Sequence, residues 1–275
     1  MTPKINLRKV SKIVLLATIA VSISWSVVAS TGGYSIGEEG LLLQGSSNKA
    51  SFILGEPVEM YFELNNGSKV SVKVPSGGVE VGSLKVLIAH GDELDFNEYF
   101  TSDWGRKVGH WINLEPGAKH SFSKFTILWN GLPNVSHLNE QAAKTALAGK
   151  VTTEYAFQEP GIFFVKGISF FGEDSKPIES KPVRIEIKAP EGEDLEVWNA
   201  IKGNKKIAYL MQYSAFGADR DEEKQQLTDQ VEQIIAKYPQ SIYSGYLKTN
   251  LEKFKANEAQ RNEFYKNMKV GQKPQ

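Results

Sequence analysis

The stretch HGDELDFNEYFTSDWGRK, His90 to Lys107, gathers Asp92, Glu93, Asp95, Glu98 and Asp103. Carboxylates at that density are the raw material of two chemistries, oxygen ligation of Ca²⁺ and the paired acid and base of glycoside hydrolysis. The ligand spacing and central glycine of an EF-hand loop are missing, and a glycosidase pair is defined by distance in the fold, so the default reading is a solvated acidic loop. The four histidines, His90, His110, His120 and His137, do not fall at a spacing that would bring two rings to one metal. A His-Glu-x-x-His stretch is absent, and a chain without cysteine has no thiolate site for zinc. Phosphate-cradling, dinucleotide-binding and nucleophile-elbow motifs are absent as well. SFSK, Ser121 to Lys124, matches Ser-x-x-Lys in form. That chemistry needs the serine at a helix start with the lysine one turn on, whereas this segment alternates as a strand and is expected to turn the two side chains to opposite faces. The expectation is therefore no catalytic residue, no metal and no cofactor.

Aromatic residues give the denser signal. Phe96, Tyr99, Phe100, Trp104, Trp111, Phe122, Phe125 and Trp129 fall between Phe96 and Trp129, about twice the chain's overall 11%. Phe125, Ile127 and Trp129 alternate as one inward strand face. Trp104 and Trp111 instead sit among Asp103, Gly105, Arg106, Gly109 and His110, a polar loop context in which aromatics serve as binding surface for a sugar ring or a protein partner, core or hinge packing being the other use. A second aromatic group, Tyr238, Tyr243 and Tyr246, brackets Pro239. There a tyrosine can bury its ring and leave its hydroxyl wet, either stitching two helices together or lining a groove for a partner segment.

The elements that must position these residues are strands from Gly40 to Ala189. In PVEMYFELNNG, Val58, Met60, Phe62 and Leu64 alternate with Glu59, Tyr61 and Glu63, and Asn-Asn-Gly is expected to close the strand with residues that tolerate positive φ. GLLLQ, ASFIL, VSVKVP, SLKVLIAHGD, HSFSKFTILWNG, GIFFVKGISFFG and PVRIEIKAP read likewise, about seven or eight strands separated by turn residues. ILGEPVEMYFELNN, NLEPGAKHSF and FQEPGIFFVKG, the last followed by SKPVRIEIKAP, resemble the turns and strands of immunoglobulin-like β-sandwiches of bacterial envelope proteins. The resemblance implies a fold for about 150 residues and no particular activity, because that architecture hosts adhesion, chaperone, inhibitor and spacer roles alike.

After Pro190 the apolar period changes. Leu195, Trp198, Ala200 and Ile201, then Ile207, Leu210 and Met211, recur at three and four residues, which predicts helices. DEEKQQLTDQVEQIIAKY sets Leu227, Val231, Ile234 and Ile235 on one face behind an acidic start. Pro239 stops that helix, Ser241 is placed to cap the next, and Tyr243, Tyr246, Leu247, Leu251 and Phe254 form its apolar face. KYPQSIYSGYLKTNLEKF resembles the Tyr-Pro-x-Ser junction of tetratricopeptide-like repeats, with Gly245 where those repeats carry alanine. About one and a half repeats are visible, too few to bury their own faces, so these helices must pack on the strands or on a partner. The tail KNMKVGQKPQ is expected to fray.

MTPKINLRKVSK carries four positive charges and no acid, and the uncharged run Ile13 to Ala29 follows, the layout of a secretory signal peptide with cleavage expected after Ala29. The chain has 32 basic and 32 acidic side chains, and removing those four cations leaves 28 against 32, a net charge of −4. That balance is not a nucleic-acid footprint. An exported chain without cysteine points to a bacterial envelope, where the Asn-x-Ser matches at Asn66 and Asn134 carry no meaning.

Together these readings give an α+β chain: a signal peptide over residues 1–29, an antiparallel immunoglobulin-like β-sandwich over 33–189, and a small C-terminal helical, tetratricopeptide-like region over 191–268. The expected function is a non-catalytic interaction module of the envelope, periplasmic or extracellular, with a protein or glycan partner. Membrane contact is expected only through an uncleaved signal segment. The contact candidates are Trp104, Trp111, Tyr238, Tyr243 and Tyr246. The alternative is an enzyme or enzyme accessory acting on cell-surface polysaccharide through the acidic loop.

Overall fold

A computed structural model describes residues 35–36, 40–92, 94–100, 110–131, 154–171 and 176–271. The signal-like segment, Glu93, Asp103, Trp104, Asn134 and His137 lie outside the described residues. The chain is α+β, with two antiparallel-dominated sheets followed by four helices among the described residues.

The first sheet is centred on β4 (Val58–Asn66), flanked on one side by β2 (Leu41–Ser47) with β1 (Ser35–Ile36) beyond it. On its other side β4 takes two short strands in succession, β9 (Lys119–Ser121) and β10 (Phe125–Ile127). The second sheet runs β3 (Ser51–Ile53), β13 (Val183–Lys188), β11 (Gly161–Ser169), β6 (Leu84–His90), β7 (Asn97–Tyr99), with β12 (Ile178–Glu179) also on β11. The β3–β13 pair is parallel. A separate ribbon joins β5 (Val72–Pro75) to β8 (Trp111–Leu114).

Alternation builds the interior as the sequence predicts: Val58, Met60, Phe62 and Leu64 are all buried, while Tyr61 between them is exposed. The sheets meet closely where Phe62 of the first lies against two glycines, Gly45 on β2 and Gly167 on β11. A Cβ on Gly167 would come within 2.6 Å of the Phe62 ring. Those two positions are glycine because the aromatic ring occupies the space a side chain would take.

The segment expected as one strand, HSFSKFTILWNG, is broken. Glu63 faces Ser121 but Met60 faces Phe125, so three residues of this edge oppose two of β4, a β-bulge. The extra residue shifts parity, which is how Phe122 and Ile127, an odd distance apart, both point inward. It also corrects the expectation for Ser121 and Lys124. Both are exposed, and Lys124 pairs with Glu59 at 2.6 Å. The Asn-Asn-Gly turn differs too: β4 continues through Asn66, which is buried. Its amide donates to the carbonyls of Leu114, 2.7 Å, and Val70, 2.8 Å, pinning the β5–β8 ribbon to the sheet.

The helices are α1 (Gly192–Ile201), α2 (Lys205–Tyr213), α3 (Asp221–Lys237) and α4 (Ile242–Gly271). Their buried side chains join those of the sheets in one continuous apolar cluster. On α1 the inward residues are Val197, Trp198 and Ile201, while Leu195 and Ala200, expected inside, are exposed. Asp194 shares that inner face one turn earlier and explains the rotation. Its Oδ1 accepts from the Ser241 hydroxyl and from the Ile242 N–H, both at 2.8 Å. The cap of α4 is thus supplied from α1 and not by the side chain of Ser241. On α4, Tyr243, Leu247, Leu251 and Phe254 are buried as predicted. The helix then continues to Gly271, so the segment expected to fray is helical from Lys266 to Gly271. Among the described residues no helix is long and apolar enough to cross a membrane.

Candidate binding cleft at the sheet–helix junction

The tyrosines of α4 reach back to the turn that enters β4. The Tyr243 hydroxyl donates to the Leu54 carbonyl, and the Tyr246 hydroxyl donates to Glu56 Oε1 at 2.9 Å. Glu56 is a carboxylate with 1% exposure, and it is satisfied: Lys49 reaches Oε1 at 2.5 Å and the Ile53 N–H reaches Oε2 at 3.0 Å. A buried charge is tolerable only when paired and hydrogen-bonded in this way. Between Leu54 and Glu56, Gly55 holds φ +82°, and a Cβ there would sit 2.1 Å from Trp198. Only glycine fits both the left-handed backbone and the contact. Trp198 in turn stacks near Tyr243, centroids 6.2 Å apart, and meets Tyr155 edge-on at 4.8 Å. Burial raises Tyr243 and Tyr246 well above the ordinary tyrosine range, the Asp194 and Glu56 carboxylates adding to it for Tyr243 and that of Glu56 for Tyr246.

A second clasp holds α2 to the free edge of the first sheet. Gln212 donates through Nε2 to the Thr126 carbonyl, 3.0 Å, and to the Tyr99 hydroxyl, 2.8 Å, while its Oε1 accepts from the Trp129 N–H at 2.9 Å. A side-chain amide here satisfies the groups a further strand would have used. The Tyr99 hydroxyl donates onward to the Trp129 carbonyl at 2.8 Å, and burial lifts Tyr99 far above its ordinary value.

Between these two clasps the outer face of the first sheet, the end of α2 and one side of α4 enclose an open cleft of about 740 Å³. The sheet contributes Glu59, Lys124 and Thr126, and α4 contributes Ile242, Gly245, Tyr246, Thr249, Asn250 and Lys253. Those α4 positions recur at three and four residues, a single helix face. At the end of α2, Ser214 takes φ +55° and donates from Oγ to Asn250 Oδ1 at 2.7 Å, which fixes the amide at the cleft wall. Gly245 leaves the floor open, since a Cβ there would meet nothing within 4 Å. The side chains of Thr126, Thr249 and Lys253 engage no partner among the described residues.

Of the residues singled out in the sequence, Tyr246 lines this cleft, while Tyr243 lies beneath it with 0% exposure. Tyr238 ends α3, its ring 4.9 Å from the Lys237 ammonium. Trp111 stands apart on the β5–β8 ribbon, 49% exposed, with the Lys73 ammonium 5.9 Å from its ring. Trp104 lies outside the described residues. In the acidic stretch, Glu98 pairs with Lys85 at 3.1 Å and Asp95 is exposed. His90 stacks on Phe163 at 4.5 Å, and His120 reaches the Ser76 carbonyl at 3.1 Å. Among the described residues no group of three His, Asp or Glu side chains is placed to hold a metal ion. Sequence reasoning missed Glu59, Lys124, Thr126, Gln212, Thr249, Asn250 and Lys253. The one signal that could have found part of the set is the polar stripe Gly245, Thr249, Lys253 running beside the apolar face of α4.

No family model and no curated protein matches the chain. Among solved structures, it is similar to a β-glucosidase from Erythrobacter marinus at 13% identity, covering 58% of this chain and 16% of that one, TM-score 0.27. A β-glucosidase from Listeria innocua in complex with laminaribiose matches at 13%, covering 54% and 16%, TM-score 0.27. The sporulation control protein Spo0M from Bacillus subtilis matches at 15%, covering 59% and 55%, TM-score 0.29. The chain spans about one sixth of the length of these glucosidases and about half that of Spo0M. Likenesses this distant carry no argument about fold or activity.

Proposed function

We propose that the chain is an exported, non-catalytic binding module of the bacterial envelope, built on an immunoglobulin-like β-sandwich, with the cleft between the first sheet and α4 as its binding site. The observation that carries this reading is the cleft, a concavity of ligand-site size whose wall keeps unspent hydrogen-bonding groups in Thr126, Thr249 and Lys253. A seam that served packing alone would bring apolar side chains together, as it does beneath, at Trp198 and Tyr243. The immunoglobulin-like assignment is supported by two sheets packed where Phe62 meets Gly167 and Val183 approaches Gly45. Export is supported by the charge and apolar pattern of residues 1–29 alone.

The test is site-specific photo-crosslinking in envelope extract, with the photoreactive residue at Thr249 in the cleft or at exposed Glu252 on another side of α4. An adduct from position 249, absent from 252 and abolished by Gly245→Leu, is the expected result. Adducts of equal yield from both positions, or none from 249, overturn the cleft as the binding site.

A further inference from the structure

We infer that the ligand of this cleft is a short acidic oligosaccharide, its hydroxyls meeting Thr126, Thr249 and Asn250 and its anionic substituent meeting Lys253. This rests on the cleft being a binding site at all. Three observations narrow the class.

The first concerns how a peptide would have to bind. An extended peptide gains most of its affinity by adding a strand to a free sheet edge. The edge facing the cleft is β10, and groups along it and just beyond it are already taken: the Thr126 carbonyl and the Trp129 N–H by Gln212, and the Leu128 N–H by the Tyr99 hydroxyl at 3.3 Å. A peptide here would find an interrupted backbone ladder.

The second is the lining. Its groups are hydroxyls, a fixed amide and the Glu59–Lys124 pair, set among the apolar parts of Pro57, Met211, Ile242 and the Tyr246 ring, a surface in which polar and apolar groups have about equal shares. Polyhydroxylated rings match that surface, because each hydroxyl both donates and accepts. The wall from Ile242 to Lys253 runs about 16 Å along α4, long enough for linked rings and too long for one.

The third is charge. Lys124 is neutralised by Glu59, and the Glu59 carboxylate also accepts from Tyr61 at 3.0 Å, whereas Lys253 has no anion beside it among the described residues. The unbalanced charge in the cleft is therefore positive and lies at one end, where a carboxylate on the ligand would form a charge-assisted hydrogen bond.

The experiment is titration calorimetry of the full chain with di- and trigalacturonic acid and, as neutral controls, cellobiose and cellotriose. Two variants accompany it. Gly245→Leu fills the floor, and its urea midpoint should equal or exceed that of the parent because a helical glycine is replaced without a clash. Lys253→Gln removes the charge and keeps a polar side chain one atom shorter. Trigalacturonic acid is expected to bind more tightly than cellotriose, to lose measurable binding to Gly245→Leu, and to weaken about tenfold with Lys253→Gln while cellotriose is unchanged. Binding of neither sugar, or binding that survives Gly245→Leu, overturns the inference. If the sugars fail while the crosslink from position 249 persists and still depends on Gly245, the ligand class falls and the binding site stands.

Discussion

Two tyrosines with ring centroids 4.8 and 6.2 Å from that of Trp198, Tyr155 and Tyr243, have hydroxyls with opposite accounts. Tyr243 donates to the Leu54 carbonyl, so removing its hydroxyl strips a buried acceptor of its donor. Tyr155 has a buried hydroxyl with no partner among the described residues, so its oxygen carries a desolvation cost with nothing in return. Tyr243→Phe is therefore expected to destabilise the fold by about 1–3 kcal/mol, and Tyr155→Phe to be neutral or mildly stabilising, read from urea midpoints at constant m. Equal effects would mean that the Leu54 contact is not what the tyrosine is for. At this scale the sequence was informative about residue type and uninformative about partner. That Tyr243 would bury its ring at a helix junction was legible, since bulky tyrosines beside Pro239 have few other uses. That it would reach Leu54, 189 positions away in the chain, was not, because nothing local encodes a contact of that range.

At the scale of elements, a helix end needs its first N–H groups satisfied, and α4 borrows its acceptor from α1. Asp194→Ala removes the carboxylate that holds Ser241 and Ile242, and about 1–2 kcal/mol of stability should go with it. Faster hydrogen exchange confined to the first turn of α4 would show that the loss is local to the cap. Exchange unchanged at Ile242 and Tyr243 would show that Ser241 suffices alone. The same rule explains which elements could be read in advance. The alternation of β4 and the apolar face of α3 were legible because one face is buried along the whole element. The bulge between β9 and β10 was not, because a one-residue insertion leaves each half alternating correctly and shows only in the pairing with β4. The phase of α1 was misjudged because Leu195 is apolar and Asp194 is not, yet the aspartate faces inward to cap another helix. The cleft was hidden for a related reason: its polar residues come from β4, the bulged edge, α2 and α4, each looking like an ordinary solvated face until the clasps at Gln212 and Tyr246 bring them together.

For the whole molecule, the sheets and helices share one apolar cluster, and the tyrosines at their junction make its stability depend on pH in a definite direction. Burial raises Tyr99 and Tyr155 far above the ordinary value of 10.0, and Tyr243 and Tyr246 shift the same way. A raised folded value means that above pH 10 the unfolded chain gives up protons the folded chain retains. The contribution is whole below pH 10 and is lost as pH climbs toward the folded values. Each of Tyr99 and Tyr155 is expected to lower stability by at most about 1.4 kcal/mol per pH unit in that window. Half-buried Tyr246 adds less, because solvent screens it. Alkaline titration should therefore show exposed tyrosines ionising first. The buried ones should follow in a steep step in absorbance at 295 nm that coincides with loss of helical ellipticity at 222 nm and of the fluorescence of buried Trp129 and Trp198. Coincidence of the three signals requires that the junction hold the sheets and helices in one cooperative transition. If the tryptophans lose their buried emission while ellipticity is kept, the helices detach as a unit. The seam through Leu54, Glu56, Trp198 and Tyr243 would then be a hinge beneath the cleft and not part of a single core.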